Sequence, residues 1–392
     1  MNATARALPA TTSVVIVGAG PVGLTAAVRL ADAGVDFVLI DRIAEGANTS
    51  RAAVVHAKTL EVLSELGIAD ELIETGLRVP TFTLHDGRKK LAAIKFDRLP
   101  TRFPYALLTP QDVTESVLLQ RLRKAGGEPY RPYTVTGVVN ENDGVTVEYT
   151  DTDGAEGTLR ADYVIAADGS HSPIREQLAV GFDGGTYPAS FVLADVRMDW
   201  PIGRDEVALH LSPAGFLLVA PLPDERADRY RVVATMDNAP EHPTVAHVQS
   251  LVDERGPGAG TVTEVLWGSR FRVHHRLAAH YRAGRVFLAG DAAHVHSPAG
   301  GQGMNTGVQD AATLGALLAR VIANGESPTI LDEYERTRRP VARGVVRFTD
   351  FMTKAATTRS PLFRHLRNRA LPLLASIPAF RNRLAHRLAE LD

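Results

Sequence analysis

The stretch SVVIVGAGPVGLTAAVRLADAGVDFVLIDR, from Ser13 to Arg42, limits the folds open to this chain more than any other. Ser13 to Val17 reads as a buried strand, and GAGPVG follows it, with Pro21 and Val22 between Gly20 and Gly23. Leu24, Ala27, Val28 and Ala31 then recur at helical spacing until Gly34, and DFVLIDR makes a second strand ending at Asp41. A G-x-G-x-x-G between strand and helix has a physical purpose. Gly18 permits the tight turn, Gly20 lets backbone approach a pyrophosphate, and Gly23 lets the helix sit close to the sheet. The helix N-terminus offers unpaired N–H groups to the anion. Asp41, 23 positions after Gly18, stands where a ribose-binding acid is expected. This unit predicts a Rossmann-like dinucleotide site and does not by itself separate FAD from NAD.

Two later segments repeat the theme of a strand ending in Gly or Asp. Tyr163 to Ala167 reads as a buried strand running into Asp168 and Gly169. Arg285 to Ala289 reads as another, running into Gly290 and Asp291. An acid at the carboxyl end of a parallel strand lies where open α/β sheets bind ligands. After the second strand comes the loop AAHVHSPAGGQG, and MNTGVQDAATLGALLARVIANG reads as a helix. A metal site at His294 and His296 lacks a third ligand at motif spacing, and no G-x-S-x-G elbow supports a Ser/His/Asp hydrolase. The loop is better read as a backbone cradle. Gly300, Gly301 and Gly303 allow close approach, and the N–H groups near Met304 and Asn305 favour negative charge such as a reduced flavin ring carries. Asp291 is placed to accept from a ribityl chain.

Between about Gly181 and Arg276 the pattern changes to short strands with polar turns. The expected fold class is therefore α/β: a Rossmann-like FAD-binding domain, an inserted mostly antiparallel β-sheet substrate domain, and C-terminal helices. The FAD-binding domain is drawn as residues 1–80, 101–180 and 277–350, the substrate domain as 81–100 and 181–276, and the helical segment as 351–392. A substrate pocket is expected between the inserted sheet and the flavin, lined by Phe191, Leu193, His210, Phe216 and Leu218. A strand register slipped by one residue would reverse that facing.

Composition narrows the function classes. The 392 residues carry a formal net charge of −2, which argues against nucleic acid as the main partner. The chain has no cysteine, which removes disulfides, thiolate metal sites and cysteine nucleophiles. No secretory leader or membrane span is read, so a cytoplasmic protein without a membrane partner is expected.

Taken together, these residues resemble the FAD-dependent aromatic hydroxylases, the class A flavoprotein monooxygenases typified by para-hydroxybenzoate hydroxylase. The resemblance covers nearly the whole chain and is nearest to the phenol and polyketide hydroxylases. VVIVGAGPVGLTAAVRLADAGVDFVLIDR looks like the family's dinucleotide motif, DYVIAADGSHSPIRE like its Asp-Gly motif, and GRVFLAGDAAHVHSPAGGQGMNTGVQDA like its Gly-Asp motif. The resemblance implies that Arg42 and Arg51 approach FAD phosphate or adenosine, that Gln111 contacts the cofactor, and that Pro298 lies beside the flavin ring. It also implies NAD(P)H as a transient co-substrate, dioxygen, a flavin C4a-hydroperoxide and a small aromatic substrate, in a monomer or homodimer. Many larger relatives carry a thioredoxin-like C-terminal domain; about forty residues follow DEYERTRRPVARGVVRFTDF here, so the branch without that domain is expected. No catalytic base is assigned: His56, His210, His274 and His275 are candidates only as histidines. Other flavoenzyme chemistry on the same scaffold, or a protein that binds FAD or an aromatic ligand without turnover, is the alternative.

Overall fold

Four short parallel strands carry the site, in the spatial order Val286–Leu288, Glu156–Ala166, Thr11–Val17 and Phe37–Ile40. The computed structural model describes residues 7–46, 52–358 and 360–391. The strands' carboxyl-terminal halves, VVIV, YVIA, VLI and VFL, are short apolar runs because both faces are buried there. Their register aligns the carboxyl ends. Val17 pairs with both Ile40 and Ala166, and Ala166 with Leu288. One sheet edge thus delivers Gly18, Asp41, Asp168 and Gly290 from four distant parts of the chain. The helices Pro21–Asp32 and Gly303–Ile322, which follow two of these strands, pack against each other.

A second sheet of eight strands gathers segments 81–95, 182–278 and 294–295. Its pairings are antiparallel except one, between Glu206–Ser212 and Thr81–Asp86. Alternation divides its side chains. Leu193, Leu209, Phe216 and Val233 face the main core, while Ala194, Leu217, Val232 and Trp200 face a smaller one. The helix Val245–Arg255, which the strand-rich pattern did not announce, covers that smaller core with Val248, Leu251 and Val252.

The chain is an α/β protein with C-terminal helices, spanning Asp332–Thr357, Pro361–Ser376 and Pro378–Leu388. The first of these runs unbroken across residue 350, so the boundary drawn there from sequence falls inside a continuous element. Among the described residues no helix is long and apolar enough to cross a membrane.

Candidate functional site: a flavin-sized groove between two sheets

The first turn shows why glycine recurs. Gly18 has φ +103°, and a Cβ there would lie 2.3 Å from the Ala167 carbonyl oxygen. A Cβ on Gly23 would lie 1.8 Å from the Gly18 carbonyl oxygen. At Gly20 a Cβ would meet nothing within 4 Å, because that residue borders an open groove. Two glycines therefore hold the turn together and the third bares backbone.

The groove has a volume of about 570 Å³ and runs between the strand tips and the second sheet. Gly20, Pro21, Val22 and Arg42 line one end of it, and Gly169 and Asp291 line it from the neighbouring strands. Pro298, Gly301, Gly303 and Met304 form its floor at the start of the Gly303–Ile322 helix. Gln111 also lines the groove, and its Oε1 accepts from the Ala52 N–H at 3.1 Å. Arg51 lies outside the described residues.

Other expected residues shape the groove from behind. Asp41 accepts from the backbone N–H groups of Ala19, at 2.6 Å, and Ile43, at 2.8 Å. Asp168 accepts from the Ser172 hydroxyl at 2.8 Å, and Ser172 in turn caps the helix Pro173–Gln177. Burial pushes the Asp168 carboxyl up, against the pull of Ser172. Gly290 opens a single 3-10 turn with φ +61°.

Asn305 is fully buried and serves as a clamp. Its Nδ2 donates to the carbonyls of Val54 and Gly301, at 2.9 and 2.8 Å, and its Oδ1 accepts from the His56 N–H at 2.8 Å. His56 lines the groove and donates from Nε2 to the Gly300 carbonyl at 2.7 Å. Burial lowers its pKa to about 4, so at neutral pH the ring is uncharged and Nδ1 is its acceptor. His296 also lines the groove and is lowered to about 4, by burial first and by His294 second. His294 is spoken for. It bonds Asp310 at 2.6 Å, and Arg338 bonds the other oxygen of that carboxylate at 2.7 Å. Burial opposes ionisation of Asp310, but Arg338 and His294 outweigh it and hold the carboxyl below its usual range. Among the described residues no three His, Cys, Asp or Glu side chains are placed to hold a metal.

On the opposite wall, Leu193 and Leu218 line the groove as expected from sequence. Phe216 instead lines a small side pocket, and Phe191 is a fully buried layer behind the wall, between Phe216 and Phe271. His210 faces the other way. It alternates with Leu209 and Leu211, so it lies on the far face of the sheet, stacked on His85 and edge-on to Trp200. The sequence reading took the wrong phase of that strand. It also missed Arg231 and Leu388, both of which line the groove. Arg231 carries no motif, and Leu388 is one leucine among many in the last helix.

The residues present fit FAD: exposed glycine backbone, two helix N-termini, an acid, an arginine and a long groove meet at one sheet edge. Residues 11–349 match the family model described as an FAD binding domain. The chain belongs to that family and is an FAD-dependent monooxygenase of the class A aromatic hydroxylase type. It is 36% identical over 386 residues to the uncharacterized aromatic compound monooxygenase YhjG of Bacillus subtilis (strain 168), covering 96% of this chain and 75% of that one. It is 35% identical over 350 residues to pentachlorophenol 4-monooxygenase of Sphingobium chlorophenolicum, covering 87% of this chain and 64% of that protein. Its fold matches p-nitrophenol 4-monooxygenase PnpA from Pseudomonas putida DLL-E4 with a TM-score of 0.87 and 28% identity, over 98% of this chain and 99% of that one.

Proposed function

We propose that the protein hydroxylates a small phenolic or polyketide-like aromatic compound, using NAD(P)H and dioxygen. The observation that carries this reading is the groove itself, with polar cofactor-holding backbone along one wall and apolar side chains along the other. Bound FAD would supply the redox chemistry: it takes two electrons from NAD(P)H and activates dioxygen, so that one oxygen atom enters the substrate and the other leaves as water.

The chain's own residues bind, orient and exclude water. The N-terminus of the Pro21–Asp32 helix would hold the pyrophosphate beside Gly20 and Val22, with Arg42 lining the same groove. Asp291, in the groove lining, would accept from the ribityl hydroxyls. The first N–H groups of the Gly303–Ile322 helix, at Gly303 and Met304, would stabilise the negative charge that a bound flavin gains on reduction. Asn305 and His56 fix that cradle through the carbonyls they bind. Phe82, Leu193, Val207 and Leu218 keep the substrate side dry, which suppresses wasteful release of peroxide. Arg272 and His274 line the groove, and His171 and Arg276 lie within electrostatic reach of His274. The arginines of this rim, Arg272 and Arg276, beside the Gly169 loop, suit the phosphates of a transiently bound NAD(P)H.

The test is a turnover assay on the purified yellow protein with a panel of phenols and polycyclic aromatics. The reading expects substrate-stimulated NAD(P)H oxidation, oxygen uptake and a product 16 mass units heavier by the gain of one oxygen atom. A colourless protein that refuses FAD would overturn it.

A further inference from the structure

A small pocket of about 40 Å³ opens off the substrate wall of the groove. It shares Phe82, Leu218, Val233, Pro298 and Gly300 with the groove and is closed by Leu209, Phe216, Met352 and Ala356. Every side chain around it is apolar. Resting on the monooxygenase reading above, we infer that the preferred substrate is an uncharged aromatic ring bearing a methyl- or halogen-sized apolar substituent, which seats in this pocket, and not a carboxylated ring.

Size and polarity support the first half. The pocket holds more than the roughly 10–15 Å³ that one water needs, but it offers no hydrogen-bond partner from a side chain, so water gains little there. A methyl or chlorine seated in it is removed from water. Pro298 and Gly300, on its border, belong to the loop that bounds the cofactor side of the groove, so a ring anchored here lies across that loop.

Charge supports the second half. Arg231 is the cation buried in this wall, 3% exposed. Its Nε and one terminal nitrogen take both oxygens of Asp195, at 2.7 and 3.1 Å, and its other terminal nitrogen donates to the Ala52 carbonyl at 2.8 Å. A substrate carboxylate would have to displace Asp195, itself 2% exposed, or remain buried without a counter-charge. Arg272 belongs with His274 at the cationic rim beside the Gly169 loop and not with the side pocket.

The test measures dissociation constants by perturbation of the flavin spectrum of the FAD-loaded enzyme. The ligands are phenol, 3- and 4-methylphenol, 3- and 4-chlorophenol, and 4-hydroxybenzoate. Burying one methyl-sized group predicts about fourfold tighter binding of the best substituted phenol than of phenol. 4-Hydroxybenzoate is expected to bind at least tenfold more weakly than phenol. Ala356→Leu, which fills the pocket without touching the groove, should erase the advantage of the substituent and leave phenol unchanged. Met352→Ala should shift preference towards ethyl- and propylphenol. If 4-hydroxybenzoate binds as well as phenol, or if both variants treat all phenols alike, the inference fails while the monooxygenase reading stands. If no ring of this series moves the flavin spectrum, the inference fails; if the protein also refuses FAD, the reading beneath it has failed too.

Discussion

A methyl group would meet opposite surroundings at Gly20 and at Gly23. At Gly23 it would collide with backbone, and neither a carbonyl nor a helix yields easily. Gly23→Ala should therefore cost about 1–3 kcal/mol of stability, seen in chemical denaturation, whether or not cofactor is present. Gly20→Ala has room to fold, and should cost about 1 kcal/mol or less as an N-cap change. It should instead weaken FAD binding, since the methyl enters the groove where backbone approaches the pyrophosphate. A Gly20→Ala protein with unchanged FAD affinity would show that the phosphates lie elsewhere. His210 supplies a residue-level test of facing. It is fully buried, and burial with the neighbouring His85 lowers its pKa to about 4 against the pull of a backbone hydrogen bond at Gly87. The unfolded ring takes up its proton near 6.5 and the folded ring near 4. Between those values the unfolded chain holds more protons, so acid favours unfolding, by about 1.4 kcal/mol per pH unit for each such group. His210→Phe should change stability little at pH 7, should flatten the loss of stability between pH 6.5 and 4, and should leave substrate affinity unchanged. A steep loss of substrate binding would place the ring on the groove side after all.

At the scale of elements, the start of the Gly303–Ile322 helix matters most. Asn305 joins it to Val54, His56 and Gly301 through three hydrogen bonds. Asn305→Ala leaves those buried backbone groups unpaired, at about 1–3 kcal/mol for each one that finds no substitute. We expect a drop in thermal stability with a matching loss of FAD affinity, and Asn305→Asp to do worse, because a carboxylate would face two carbonyls. What was legible in the sequence follows from how local each signal is. Val14 to Val17, Val164 to Ala166 and Val286 to Leu288 announce buried parallel strands because each is a short apolar run ending in Gly or Asp. The glycines after Pro298 announce a cradle because no side chain could make one so close. Asn305 looked like one more residue of the cradle from its position, but its clamp depends on Val54 and His56, some 250 positions away. Arg231 was illegible for the same reason: its partners, Asp195 and Ala52, come from other segments. The phase of the Glu206–Ser212 strand was lost because both of its faces are buried, so polarity does not mark the outer one.

The whole molecule closes the cofactor site with its far end. The Pro378–Leu388 helix returns to the loop before residue 303, where Gln302 Nε2 donates to the Arg387 carbonyl at 2.8 Å. The Lys58 N–H donates to the Ala389 carbonyl at 3.2 Å, which ties the same turn to the helix that begins after His56. Gln309 Nε2 bonds the Glu390 carboxyl at 2.5 Å, about two turns further along the cradle helix. Leu388 is 2% exposed, lines the groove, and passes close to Gly300. Residues 387–390 therefore brace the cradle from a position that no sequence motif marks. A variant ending at Ile377 should still form both sheets, because none of their strands lies beyond residue 295. Its FAD dissociation constant, measured by recovery of flavin fluorescence on dilution, should rise about tenfold or more, the equivalent of one lost interaction of roughly 1.4 kcal/mol. Leu388→Ser should give part of that effect with the helix intact, by putting a hydroxyl into an apolar contact and loosening the loop at Gly300. If the shortened chain retains FAD as tightly as the full one, the return of the last helix is packing alone, and the cradle is rigid without it.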